Sequence, residues 1–192
     1  MIYELREYTL DVENAPAYFE LFRDVGMPIR GNDYGRLVGN WTVDGEYVKF
    51  VHIWEYESLL DRAQKRSALG QVDAWTRSFL PEAAKRVSSQ FLTILNPAGG
   101  RIHSAQTAHT PEPDGRVLHT LRCRLGTAAR VASAIEVGST AHYDGIWIGE
   151  FPDPNTVYVL GDEHSVPAGN GELDELGVTY AASRKISAGP YR

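Results

Sequence analysis

The segment Val51-His-Ile-Trp-Glu-Tyr56 limits the fold of this chain more than any other. Its strict alternation puts His52, Trp54 and Tyr56 on one face of a strand, and Val51 and Ile53 on the other. The first face carries polar and aromatic chemistry and the second is plain core. Such a strand is expected to line a cavity with its polar face and to pack on helices with its apolar one. Its neighbours extend the pattern: Arg36-Leu-Val-Gly-Asn-Trp41 precedes it, and Ser58-Leu-Leu-Asp-Arg62 follows.

The elements around it form a recognisable order. Met1 to Leu10 reads as a strand with Glu4, Arg6 and Tyr8 on one face. Asn14 and Pro16 suit a helix start, and Tyr18, Phe19, Phe22 and Val25 recur at helical spacing until Gly26 and Pro28 end the pattern. Leu37 to Val43 and Tyr47 to Tyr56 are strands joined by an Asp44-Gly45 turn. Ser58 with Asp61 caps the next helix. Trp75, Phe79, Ala83 and Val87 mark another, read as helix-to-sheet core, and Gln90 to Leu95 closes the set. The order β-α-β-β-α-β is the ferredoxin-like plan.

Residues 98–115 are rich in Pro and Gly and read as a linker, after which the plan restarts. Val117 to Leu125 is a strand, Thr127 to Val137 an alanine-rich helix, and Tyr143 to Phe151 and Thr156 to His164 two more strands. Laid together, Leu5-Arg6 falls on Leu121-Arg122 and Val38-Gly39-Asn40-Trp41 on Ile148-Gly149-Glu150-Phe151; continued from there without a gap, His52 falls on Asp162 and Trp54 on His164. Gly169 to Gly177 is too short and glycine-rich to replace the second helix, and the last strand, Ala182 to Ala188, is weak. The expected fold is therefore α+β, with a domain at 1–97 and a degenerate repeat at 116–192. The two tandem ferredoxin-like (βαββαβ) repeats would form a pseudo-dimeric α/β barrel with a pocket between their sheets.

Composition narrows the partners. With 43% hydrophobic and 23% charged residues the chain is an ordinary globular protein. A net charge of -6 without basic runs argues against nucleic acid and anionic membranes. Apolar stretches are far shorter than the roughly 20 residues of a membrane helix. The chain opens directly on a strand pattern, so no leader peptide is expected. Cys123 stands alone, which excludes an intrachain disulfide and fits a cytoplasmic location.

Residues 1–97 resemble the NIPSNAP family, a branch of the dimeric α/β-barrel superfamily. The resemblance rests on Met1-Ile-Tyr-Glu-Leu-Arg-Glu-Tyr-Thr-Leu10, Gly39-Asn-Trp41, Val51-His-Ile-Trp-Glu-Tyr56, Ser58-Leu59 with Arg62, the Trp75-to-Pro81 helix and Leu95-Asn-Pro97. It implies a ferredoxin-like fold, pairing of two such domains and a central cavity. It does not imply one reaction. The superfamily includes cofactor-free monooxygenases, polyketide cyclases, haem-degrading enzymes and haem peroxidases.

Candidate residues follow from the strand faces. His52 is the foremost general acid or base, with Glu4 placed to fix its tautomer; a structural role is the alternative. Arg6 and Arg122, with Arg124, suit a carboxylate, enolate or phenolate; Arg6 could equally neutralise Glu4. Asp162 and His164, two apart on one predicted strand face, could act as base and orienting acid, or as two metal ligands to which His52 could add a third. Trp54 and Tyr8 could stack on an aromatic ligand or serve as core. Lys65-Arg66 and Lys85-Arg86 read as solvated helix faces. No metal site and no tightly bound cofactor are expected, although haem on His164 or His142 stays open. The leading expectation is a small enzyme performing a cofactor-independent oxygenation, cyclisation or isomerisation of an aromatic or conjugated anion in a biosynthetic pathway. Haem binding and a non-catalytic barrel are the alternatives, and a homodimer is allowed.

Overall fold

The computed structural model describes residues 1–103, 115–138, 143–167 and 170–191. The fold is α+β, and the described residues form eight strands that pair antiparallel. The chain divides into two compact units, Met1–Leu92 with Ala188–Arg192, and Thr93–Ser187.

In the first unit, β1 (Ile2–Leu10) and β2 (Arg36–Val43) flank β3 (Val48–Tyr56). The register sets Arg6 opposite His52, Glu4 opposite Trp54, Tyr8 opposite Phe50 and Asn40 opposite His52. Directly opposed residues share a face, so Glu4, Arg6, Tyr8, Phe50, His52 and Trp54 form one surface. The unit's own helices cover that surface. Phe22 packs on Phe50 and His52, with ring centroids 4.9 and 5.8 Å apart. Arg30 stacks on Trp54, and Arg62 bonds Glu4. The expected assignment of faces is thus reversed, since Val51 and Ile53 lie on the side away from the helices. Alternation defines two faces but does not say which one a helix covers.

The first helical stretch also runs further than its sequence suggests. α1 (Ala15–Leu21) passes into a π-helical segment, Phe22–Gly26, then into α2 (Met27–Arg30). Asn14 occupies the cap position of α1, but its side chain makes no capping bond. Pro28 begins a helix where a stop was expected. It sits in the first turn of α2, where its missing N–H costs nothing, and the wider turn before it absorbs the break in the ladder. The same device recurs after α3 (Leu59–Leu69). The π-helical segment Trp75–Phe79 hands over to α4 (Leu80–Ala84), with Pro81 in its first turn. The cap of α3 is the expected one, Ser58 Oγ accepting from Asp61 N at 3.0 Å. The two π-helical segments meet at Gly26, where a Cβ would come 2.6 Å from the Phe79 ring. The chain's end joins this unit, as Asn40 Nδ2 donates to Tyr191 O at 2.6 Å.

The second unit has the strand order β8 (Val178–Ala188), β5 (Arg116–Cys123), β7 (Thr156–Gly161), β6 (Tyr143–Phe151). The far part of β4 (Val87–Gly99) pairs with β6. Two helices complete it, α5 (Ala128–Gly138) and α6 (Asn170–Leu176). The second helix is therefore present in shortened form, against expectation, and β8 is longer than expected. Most of the predicted linker, residues 104–114, lies outside the described residues.

Both units carry one local device. β2 bulges between Leu37 and Gly39, and β6 between Tyr143 and Gly145. In each, the tryptophan two residues on, Trp41 or Trp147, lies where a Cβ on the glycine would collide with its ring. Gly39-x-Trp41 thus corresponds to Gly145-x-Trp147, four residues from where the ungapped comparison put it. Counting from these bulges through the strand registers, Arg6 corresponds to His119, His52 to Val159, Trp54 to Gly161, Glu4 to Val117 and Tyr8 to Leu121. At Arg6, His52 and Trp54 the comparison was three residues off and so aligned opposite faces, as any odd slip does.

Candidate functional site

A cavity of about 550 Å³ opens between the first unit's sheet and its helices, within the size range of small-molecule sites. The sequence placed the pocket between two sheets. Here the sheet contributes Arg6, Tyr8 and His52, and the helices contribute Phe22, Met27, Arg30, Arg66, Leu69 and Phe79. Among the described residues no Asp or Glu lines it.

Its charge is built from the floor upward. Glu4 is fully buried and bonded to Arg6 and Arg62, with Arg66 Nη1 3.7 Å from its Oε1. Burial alone would raise the Glu4 carboxyl, but Arg6 and Arg62 outweigh it and hold the group below the usual carboxylate range. Arg6 Nη1 also donates to the Tyr8 hydroxyl at 3.0 Å. Arg30 is 4% exposed and stands 3.4 Å above the centroid of the Trp54 ring. Its Nη2 donates to the Tyr56 hydroxyl at 2.7 Å, while its buried Nε has no partner. Burial pushes the Arg30 guanidinium down to about 10, leaving it charged at neutral pH. The four guanidiniums of Arg6, Arg30, Arg62 and Arg66 against the one Glu4 carboxylate leave this cluster at +3. It is a strongly positive locus in a chain of net charge -6.

His52 is 2% exposed. Its Nδ1 accepts from the Trp54 indole Nε1 at 2.6 Å, and its Nε2 has no partner. Indole N–H only donates, so Nδ1 holds a lone pair and the neutral ring carries its proton on Nε2. Burial, then Arg6 and Arg30, drive the imidazole well below its usual value. Trp54 therefore sets the tautomer that the sequence analysis assigned to Glu4, whose carboxylate is committed to arginines. Two buried N–H donors without partners, Arg30 Nε and His52 Nε2, belong to residues lining one cavity. An acceptor from a ligand is what such donors lack. Around them Tyr8, Tyr18, Phe22, Phe79 and Trp75 supply aromatic wall, with Trp75 and Phe79 stacked at 4.3 Å.

The second unit's candidates do not line this cavity. Arg122 is exposed, its guanidinium 5.7 Å from the Tyr180 ring centroid. Arg124, also exposed, pairs with Asp174 at 2.5 Å. β7 ends at Gly161, so Asp162 and His164 lie in the following turn and not on a strand face. There the Asp162 carboxylate accepts from His164 N at 2.8 Å and from Ser165 Oγ at 3.2 Å, the work of a turn cap. His164 itself is exposed beside Glu163. His142 lies outside the described residues.

Arg30 and Arg66 were missed in the sequence. Arg30 follows a proline read as a stop, and Arg66 sits in a charged run. The available signal was Arg62, Arg66 and Leu69 at i, i+4 and i+7 on α3, a stripe that ends in an apolar residue.

Comparison with known proteins follows this division of labour. The NIPSNAP family profile matches residues 3–99, the part holding the cavity. A human relative, Protein NipSnap homolog 3B, is 29% identical over 168 residues, covering 82% of this chain. The chain spans 65% of that relative's length. A NIPSNAP family protein of unknown function from Agrobacterium tumefaciens is 34% identical over 56% of this chain and 94% of its own, with a TM-score of 0.49. Over nearly the whole chain, an anthrone oxidase-like protein matches at a TM-score of 0.55, with 14% identity, covering 96% of this chain and 90% of its own. A Lactobacillus acidophilus protein, provisionally described as a monooxygenase, matches at 0.59 with 14% identity, covering 99% and 96%. These last two likenesses are of fold alone.

Proposed function

The chain belongs to the NIPSNAP family, and from that premise we propose that its first unit binds an organic anion with an aromatic or conjugated body and acts on it as a small enzyme. One observation carries the reading: a ligand-sized cavity whose charged lining is arginine only, with two buried N–H donors left without partners. Arg6, Arg30 and Arg66 hold the anionic group, His52 Nε2 donates to it, and Phe22, Trp75 and Phe79 take the apolar body. Preorganised positive charge in a water-poor site stabilises a developing oxyanion, which suits a cofactor-independent oxygenation, cyclisation or isomerisation. The anthrone oxidase-like relative in fold makes oxygenation of a phenolic substrate the first chemistry to screen. His52 acts here as a donor and not as the base.

Haem is less well supported. His164 is exposed beside Glu163, and His52 directs a protonated nitrogen, not a lone pair, away from Trp54. These residues do not fit an axial ligand in the cavity.

The test is a binding titration of aromatic carboxylates against their amides, followed by tryptophan fluorescence. The carboxylate should bind about 10- to 100-fold more tightly, the range of one or two charge-assisted hydrogen bonds. Arg30→Met should cut that preference about tenfold, the loss of one charge-assisted hydrogen bond, while stability stays unchanged or rises, because a desolvated cation is removed. Equal binding of acid and amide overturns the proposal.

A further inference from the structure

We infer that Trp54 is a positioning residue that locks His52 as a hydrogen-bond donor, so that the site takes its ligand as a preformed anion instead of deprotonating it. This deepens the proposed function and rests on it for the identity of the ligand.

Three observations converge on Trp54. Its Nε1 donates to His52 Nδ1 at 2.6 Å, which leaves the imidazole proton only on Nε2. Its ring face carries the Arg30 guanidinium at 3.4 Å, fixing the second donor. Both residues whose donors it fixes line the cavity, and neither donor has a partner. For His52 to act as a base, Nε2 would have to give up its proton first, and Trp54 would lose its acceptor. Gaining a proton instead would set an imidazolium among cations. The groups facing His52 are Arg6 and Tyr8 from β1, Asn40 from β2, Phe22 from the first π-helical segment, and Trp54 and Phe50 from its own strand, with Tyr18 from α1 lining the same cavity. Arg30 from α2 and Arg66 from α3 line the same cavity. The carboxylate of this set, Glu4, is bonded to Arg6 and Arg62. Nothing in that environment accepts a proton from the ligand. The ligand class is therefore an acid already ionised when it enters: a carboxylate, a phenolate, or an enolate of low enough pKa.

Two measurements test this separately. Nitrogen NMR of the protein labelled with 15N-histidine should show Nε2 protonated and Nδ1 bare in the free protein. A proton on Nδ1 overturns the lock, whatever binds. The second measurement titrates substituted phenols whose own pKa values span the assay range. Affinity should climb about tenfold per pH unit below each phenol's pKa and level off above it, following the ionised fraction. Affinity independent of pH in that range overturns the inference. Trp54→Phe keeps the ring but loses the N–H. It should give a mixed tautomer and flatten the pH slope, whereas loss of packing alone would lower affinity equally at every pH. No binding by any phenol at any pH removes the anion reading itself, and the NMR result still decides whether Trp54 sets the tautomer.

Discussion

The two units share an element order and a Gly-x-Trp bulge, yet they fill the layer between sheet and helices in opposite ways. In the first unit the helix-facing strand positions hold Glu4, Arg6, Tyr8, His52 and Trp54, and the layer encloses a cavity. The corresponding positions of the second unit hold Val117, His119, Leu121, Val159 and Gly161. There Leu121, Val131, Ile135, Val157 and Val159 pack into a continuous aliphatic core. Among the described residues each unit has one buried histidine, His52 or His119, and the contrast is clearest between them. His119 sets Nδ1 2.8 Å from Ser183 Oγ and Nε2 2.9 Å from Asp162 O, so both nitrogens are satisfied. His52 has one satisfied nitrogen and one aimed at nothing. A buried polar group completed by its own protein is structural; one left incomplete beside a cavity points to a ligand.

The sharpest way to break this contrast is to remove the carboxylate beneath the arginines. Glu4→Ala leaves the buried Arg6 and the half-buried Arg62 without their counter-charge and should cost about 3–5 kcal/mol in urea unfolding, the usual result of breaking a buried ion pair. A cost below about 1 kcal/mol would mean that water already solvates the cluster, and the first layer would lose its claim to be a desolvated anion site. The next comparison deletes the same kind of apolar mass from each layer. Ile135→Ala in the dry core should cost about 2–5 kcal/mol, since it opens a void. Leu69→Ala, at the wall of a space that already exists, should cost roughly half as much, because fewer contacts are lost. Equal costs would indicate that the cavity collapses in solution.

What the sequence disclosed follows from period and register. Alternation placed Arg6 and Tyr8 beside His52 and Trp54, because antiparallel neighbours of known phase share a face, and the register of β1 with β3 agrees. The phase could not tell which face the helices cover, so the polar face was expected to meet a second sheet, whereas the unit's own helices cover it and enclose the cavity. Arg30 was hidden by Pro28, which starts a helix as readily as it stops one. In the second half the search for a partner constellation failed for a geometric reason. The comparison matched Gly39 to Gly149 where the shared bulge matches it to Gly145, and the connection from Trp147 to its partner Tyr158 is one residue longer than that from Trp41 to Val51, so the comparison led to Asp162 and His164 in a turn and not to Val159 and Gly161 on the strand.

The smallest expected effect separates the two histidines by pH. Burial lowers the pKa of both in the folded protein, that of His52 further, with Arg6 and Arg30 adding to the effect. An unfolded histidine titrates near 6.5. As pH falls below that value the unfolded chain takes up a proton at position 52 that the folded protein refuses. Unfolding is therefore favoured, and stability is lost on acidification, by at most about 1.4 kcal/mol per pH unit for one proton. Above pH 6.5 both states are neutral and the group contributes no slope. His52→Gln removes this site, so its stability should fall less steeply than that of the parent between about pH 6.5 and 5. If instead the parent and His52→Gln lose stability in parallel, His52 takes up its proton in the folded state. An imidazolium would then stand between Arg6 and Arg30, and the difference drawn between the two layers would have to be made on packing alone.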